Sequence, residues 1–412
     1  MHDSAAVISA GTAQLDPGTL IGYKSVMDSA YAALDRAIAI ANLPVSGLTN
    51  TGAGFPIPTS WYPRANPVTA AQFVQIIRSY KARFRANIAR TPTERAAADW
   101  NQIIADAQNG ITGDEMLVTN TSSGPGDSWR SQYDAFTTWH QMPAFFIGMA
   151  DGGTNYATWI GTAVTDRGNG NVGFFMNSPD QRFPQGANRA AQQADFKITA
   201  CAGATQACKR YFVNRDAAND QFSGPGWGWS NYDFARFHSW VKKGDGTAQN
   251  GATTFFTLSE LNLLQAEGLY RTGNYAGAAA LINQSRATVA GVGGTIYDLG
   301  GNLPPIGGTQ TSIAPGGAAC VPKVPNGSTV SCGDLWETLK YEKRVETAYT
   351  AYANWYLDGR GWGDLAKDTP LFWPVPYQDL QARGRPTTAI YGTGPGTGNA
   401  PNSTAALSVY GW

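Results

Sequence analysis

Glu342 and Glu346 stand four residues apart in DLWETLKYEKRVETAY, a spacing that places two carboxylates one helical turn apart. Glycoside hydrolysis uses such a pair, at about 5–5.5 Å in retaining enzymes and about 6.5–9.5 Å in inverting ones, a range that one turn can meet. Both glutamates, however, fall on the helical stripe of Leu335, Leu339 and Tyr349, which is a packing face. A catalytic pair has to flank a substrate in a cleft. The pattern therefore predicts structural ion pairs, with Glu342 and Glu346 partnered by Arg344, Arg360 and neighbouring helix ends.

A second group of residues suits binding rather than bond breaking. In Gly224-Pro-Gly-Trp-Gly-Trp-Ser-Asn-Tyr232, Trp227 and Trp229 alternate with glycines that leave the indole faces accessible. Sugar rings present C–H faces that pack on an indole, and Asn231, Tyr232, Asp233 and Arg236 stand close enough in sequence to read hydroxyls. Trp61 and Tyr62, together with Trp129, Tyr133 and Trp139, are further candidates for a ligand platform. The opposing expectation is that many of these rings fill the interface between loops and helices, as aromatics do in ordinary cores.

Other chemistries find little support. The histidines, His2, His140 and His238, are scattered, and no Gly-x-Ser-x-Gly elbow, His-Glu-x-x-His helix, phosphate-binding Gly-Lys-Ser/Thr loop or Asp-rich calcium loop occurs. No catalytic residue, cofactor or metal is expected. The cysteines form two local pairs, Cys201 with Cys208 and Cys320 with Cys332, in Gly/Ala/Pro-rich stretches. This favours two loop-closing disulfides over zinc or free thiols, and disulfides persist mainly in oxidising compartments. The expected destination is outside the cytoplasm. The opening MHDSAAVISAGTAQLDPGTL lacks the basic start and apolar run of a signal peptide, so an export leader is expected to lie outside this sequence.

The composition agrees with a binder built on ordered loops. With 30 Lys+Arg against 30 Asp+Glu in 412 residues, no basic field exists to hold a phosphate backbone, which argues against nucleic acid. Glycine (48) and tryptophan (13) are abundant, and no run approaches the roughly 20 apolar residues of a membrane span.

The elements that must position these residues are mainly helical. Met27, Tyr31, Leu34 and Ile38 make one apolar stripe over 25–42, and Thr69-x-x-Gln72 opens a second helix with a capping-box pattern. Thr91-Pro92-Thr93-Glu94 supplies a cap and an N1 proline for a third helix, continuing to Gly110 and pairing with the second as a hairpin. Periodicity then lapses over 116–256, where loops, short helices and a few short strands are expected. Thr257-x-x-Glu260, another capping box, starts a further helix, and Gly273-Asn274 marks the turn of a hairpin in which Tyr270 and Tyr275 wedge the helices and Ala278 lets them approach. A further helix is expected from Asp334 to about Tyr356. The reading is one domain: helical hairpins over 20–115, a loop-rich insertion over 116–256, a C-terminal helical region over 257–370 and a Pro/Gly-rich closing segment over 371–412.

The hairpin at 257–291 is similar to a tetratricopeptide unit, which buries its apolar face by stacking on a neighbour. In order, this hairpin, the Cys320/Cys332 loop, the helix YEKRVETAYTAYANWYLDGRGWGDL and the segment LFWPVPYQDL resemble the C-terminal part of the SusD/RagB family. Glu342, Arg344 and Glu346 match its acidic-basic helix, Trp355, Tyr356, Asp358, Arg360, Trp362 and Gly363 its aromatic and Trp-Gly turn, and Pro374-Val375-Pro376 its closing segment. Lys343 stands where a second arginine is usual, and no cysteine precedes Cys201 to carry the family's lipid anchor. The resemblance implies a tetratricopeptide-like scaffold with long insertions. It also implies an outer-membrane, cell-surface protein that captures glycans or other nutrients without catalysis, for a SusC-like TonB-dependent transporter. An extracellular carbohydrate-active enzyme and a helical-repeat interaction scaffold are the alternatives.

Overall fold

The computed structural model describes residues 4–6, 20–43, 57, 61–62, 66–119, 141–162, 175–195, 210–214, 229–236, 251–287, 301–317, 320–326, 329–351, 353–365 and 369–385. A two-residue pairing of β1 (Ser4–Ala5) with β2 (Ile21–Gly22) leads into α1 (Tyr23–Ala41), whose Met27, Tyr31, Leu34 and Ile38 are half-buried on the side that meets α2 (Ala70–Asn87). Thr69 caps α2 with both bonds of a capping box, Gln72 N to Thr69 Oγ1 at 3.2 Å and Thr69 N to Gln72 Oε1 at 3.1 Å. The expected third helix is two: α3 (Pro92–Ala96), capped by Thr91, and α4 (Trp100–Gln108), capped by Asp99, whose carboxylate accepts from Gln102 N at 3.0 Å. Aspartate competes for backbone donors well enough to begin a new helix inside the expected one.

The aperiodic stretch is closed at its stem. β3 (Glu115–Thr119) pairs antiparallel with β7 (Gly251–Phe256), so the ends of the insertion meet beside the next helix. Within it, β4 (Gln141–Pro143), β5 (Phe212–Asn214) and β6 (Trp229–Phe234) form an antiparallel sheet with β6 in the centre. Short helices α5 (Ala144–Ile147), α6 (Asn155–Gly161) and α7 (Arg189–Asp195) surround it.

α8 (Leu258–Arg271) is the hub of the helical frame, touching α2, α4, α9 (Tyr275–Arg286) and α10 (Leu335–Glu346). The α8–α9 turn has the expected form: Gly273 takes φ +86°, the Tyr270 and Tyr275 rings meet edge to face at 5.2 Å, and Ala278 is fully buried. Leu335 and Leu339 of α10 pack with α8 and α9, whereas its Tyr341 and Val345 enter the core of the three-stranded sheet. Ahead of α10, β8 (Lys323–Asn326) and β9 (Thr329–Cys332) make a hairpin whose base is crossed by the Cys320–Cys332 disulfide.

The expected continuous helix to Tyr356 ends at Glu346, and a new helix, α11 (Asn354–Trp362), starts after two left-handed residues, Tyr349 and Ala353. Lys343 Nζ lies 2.8 Å from Asp358 Oδ1. A straight helix would separate positions fifteen residues apart by about 22 Å, so the bend is what lets the two side chains meet. The last helix described, α12 (Tyr377–Ala382), follows Pro374-Val375-Pro376.

Candidate functional site

Glu342 and Glu346 do share one face of α10, and that face is inside the protein. Arg182 reaches both, with Nη1 2.8 Å from Glu342 Oε2 and 2.9 Å from Glu346 Oε1, while Asp180 holds the other side of its guanidinium. Arg236 lies 3.2 Å from Glu346, Arg286 lies 3.6 Å from Glu342, and the Tyr211 and Tyr341 hydroxyls donate to Glu346 and Asp180. Three carboxylates and three guanidiniums thus balance in one cluster. Burial holds the Glu342 carboxyl above the usual carboxylate range despite Arg182, and Asp180 and Glu342 hold the Arg182 guanidinium charged against the burial that opposes it. Glu342 is 0% and Glu346 1% exposed, so no sugar ring can come between them.

The ion pairs were expected, but their cations are different. Arg344 lies over the Phe146 and Trp355 rings, at 5.8 and 5.4 Å from their centroids. Arg360 donates to the carbonyls of Asn87, Ala89 and Leu371 at 2.7, 3.1 and 2.6 Å. The true partners, Arg182, Arg236 and Arg286, come from the insertion and from the end of α9. Lys343, standing at the position where the resembled family favours arginine, joins a second buried cluster with Arg95, Glu267 and Asp358.

The aromatic candidates separate into three groups. Trp227, Trp129, Tyr133 and Trp139, with Cys201 and Cys208, lie outside the described residues. Trp229 opens β6, the strand into which the Gly-Trp-Gly-Trp run leads. Asn231, Tyr232, Asp233 and Arg236 are interior rather than available to a ligand, because residues 230–236 are buried on both alternating faces of this central strand. The Tyr232 hydroxyl is saturated: it accepts from Met176 N at 3.1 Å and faces Met176 O and Gln192 Oε1 at 2.9 and 2.8 Å. Trp61, by contrast, is 81% exposed, and its neighbour Tyr62 donates to Glu115 at 3.0 Å while packing on the core of α2 and α8.

The surface also offers an open cleft that sequence reasoning missed. It encloses about 390 Å³ between α1 and the α2–α4 region, lined among others by Lys24, Asp28, Tyr31, Arg85, Glu94 and Asp99. The closing segment exposes Trp373 (46%) and Tyr377 (59%). Tyr31 was legible only as a member of the α1 stripe, and Trp373 only as part of the Pro-Val-Pro segment. Among the described residues no group of histidine, cysteine, aspartate and glutamate is arranged to hold a metal ion, and no helix is long and apolar enough to cross a membrane. Comparison of the chain with protein-family models, with curated proteins and with solved structures gives no match in any of the three.

Proposed function

We propose that this chain is an exported, non-catalytic binding protein that captures a glycan or related nutrient at the cell surface and presents it to a TonB-dependent outer-membrane transporter. The observation that carries the reading is the placement of the residues on which the SusD/RagB resemblance rests. Glu342, Arg344, Glu346, Asp358, Arg360 and Trp362 are all buried, and several bind residues from the N-terminal helices and the α8–α9 hairpin. Motif residues that lock separated segments together behave as determinants of a shared fold, which is what a family signature without catalytic chemistry requires. The Cys320–Cys332 disulfide supports an oxidising destination.

In this reading the helices are the frame and the loops carry the ligand, with Trp227 and Trp229 as the leading platform because their run feeds into a strand anchored in the core. Binding is tested by calorimetry on a panel of soluble polysaccharides and oligosaccharides. Partnership is tested by co-purification with a TonB-dependent transporter from the source cell. Saturable glycan binding without product formation is expected. Release of shortened glycans, or a blank panel together with no transporter recovered, would overturn the reading.

A further inference from the structure

Glu337 and Asp364 share one cation. Lys340 Nζ lies 2.7 Å from Glu337 Oε1 and 3.1 Å from Asp364 Oδ1. Asp364 follows the left-handed Gly363 that ends α11, whereas Glu337 and Lys340 stand one turn apart near the start of α10. The Lys340 and Asp364 side chains are 3% and 5% exposed, and that of Glu337 is 16%. The contact ties the beginning of one helix to the end of the next, largely out of water.

Its charges do not balance. One ammonium faces two carboxylates, and the second oxygen of each, Glu337 Oε2 and Asp364 Oδ2, is closed off from solvent with no hydrogen-bond partner among the described residues. Asp334 adds a further acidic group, its carboxylate accepting from Glu337 N at 2.9 Å as the cap of α10. The cations of the surrounding elements are engaged elsewhere. On α8, Arg271 binds Glu267 at 3.0 Å and lies over the Trp336 ring; on α9, Arg286 faces Glu342; within α10, Lys343 binds Asp358; on α11, Arg360 donates to backbone carbonyls. The end of the β8–β9 hairpin packs so closely that a Cβ on Gly333 would sit 3.0 Å from Glu337 Cβ, yet the hairpin's Lys323 reaches Gly153 O instead.

A proton answers both deficits. It removes the excess negative charge, and it turns one of the two orphaned oxygens into a donor. Burial pushes the Glu337 carboxyl above the usual carboxylate range against the pull of Lys340, and the neighbouring Asp364 pushes it the same way.

We propose that Glu337 and Asp364 hold one proton between them and form a pH-sensitive fastening between α10 and the end of α11. With the proton in place, Glu337, Asp364 and Lys340 are neutral as a group. Without it, two carboxylates repel across one ammonium, and the end of α11 loosens. Asp364 leads directly into Leu365, which packs with Leu371 and Phe372 and against Tyr356, so the stretch that carries the exposed Trp373 is released first. The device does not depend on what the chain binds.

A proton kept in the folded state above the unfolded value near 4.5 stabilises fully below that pH. The contribution is lost as pH rises, at up to about tenfold in the unfolding constant per pH unit for one proton.

The test follows urea unfolding of the full chain from pH 4.5 to about pH 8 in wild type, Glu337→Gln and Asp364→Asn. Each variant leaves one carboxylate for one ammonium, so each should gain several-fold on wild type in the unfolding constant as pH rises. Reading the ratio to wild type at each pH cancels the contribution of Glu342. A ratio independent of pH would overturn the proposal. Hydrogen exchange of the wild-type protein, corrected for the intrinsic pH dependence of the amides, decides the matter even where a variant does not fold. Amides over 357–375 should lose several-fold in protection across the same range while those of α2 keep theirs. Unchanged protection over 357–375, or an equal loss in α2, would overturn the fastening.

Discussion

Arg95 and Glu267 meet inside the protein as a two-bond fork, Nε to Oε1 at 2.9 Å and Nη2 to Oε2 at 2.7 Å, across 172 residues of sequence. The same guanidinium reaches Asp358 Oδ1 at 2.9 Å and the Asn87 side chain at 3.2 Å, so one side chain of α3 ties together α2, α8 and α11. Glu267 in turn accepts from Trp362 Nε1 at 3.1 Å and Arg271 at 3.0 Å. Lysine carries the charge but not the planar fork. Arg95→Met, which leaves Glu267 without its fork, is therefore expected to destabilise by about 3–5 kcal/mol, the cost of breaking a buried pair, and Arg95→Lys by less, as measured by urea unfolding. A loss below about 1 kcal/mol would show that the pair does not organise the frame.

Two of the buried glutamates, Glu267 and Glu342, should report opposite pH signatures. Burial alone would raise the Glu267 carboxyl, but Arg95, then Arg271 and Lys343, bring it down to about 2. A carboxyl lowered in the folded state stabilises above its unfolded pKa near 4.5 and loses that contribution as pH falls toward 2. The cost of Glu267→Gln should therefore shrink between pH 5 and pH 3. Glu342 is shifted the other way by burial, so its contribution declines as pH rises above the ordinary 4.5, and the cost of Glu342→Gln should shrink in that direction. Urea midpoints of the three proteins across pH 3–7 check both slopes. Parallel profiles would contradict the assignment.

What could be read in the sequence was local. The Thr69/Gln72 box, the Thr91 cap and the left-handed Gly273 each rest on contacts within a few residues, and each is present. Thr257 was legible by half: it accepts from Glu260 N at 3.1 Å, but the Glu260 carboxylate serves Arg83 at 2.7 Å instead of reaching back to complete a box. Arg182 could not have been matched to Glu342, since 160 residues separate them and Asp180-Gln-Arg182 lies in an aperiodic stretch. Alternating aromatic and small residues also cannot distinguish a surface platform from the central strand of a covered sheet, which is why Tyr232 reads as a ligand contact and is a core residue. The bend after Glu346 escaped for the same reason as the ion pairs: the contact it permits, Lys343 with Asp358, belongs to tertiary structure.

Two glycines of α8 and its turn should fail in different ways when replaced. A Cβ on Gly268 would sit 2.6 Å from Ile104 Cγ1 and 3.3 Å from Trp100 Cε3, because α4 crosses α8 there. Gly268→Ala is expected to cost about 1–3 kcal/mol through overpacking, although alanine is the better helix former, and Ile104→Ala should recover part of that loss. At Gly273, by contrast, nothing lies within 4 Å of the added atom, and only the φ of +86° is unfavourable. Gly273→Ala should cost about 1–2 kcal/mol, Gly273→Asn less, and neither loss should be relieved by trimming a neighbour.

The Cys320–Cys332 bond closes a loop of 12 residues around the β8–β9 hairpin, immediately before α10. Constraining a loop of that size in the unfolded chain is worth about 3 kcal/mol. Because Ala314 N donates to Gly333 O and Gly333 N to Pro322 O, the hairpin also fixes the residues that lead into the Asp334 cap of α10. Replacing both cysteines by serine should therefore lower stability by about that amount and increase amide exchange first at the start of α10, where Leu335 enters the core, with the α2–α4 region less affected. Uniform loss of protection across α2, α4 and α10 would mean that the disulfide stabilises the whole frame and not the entry to this helix.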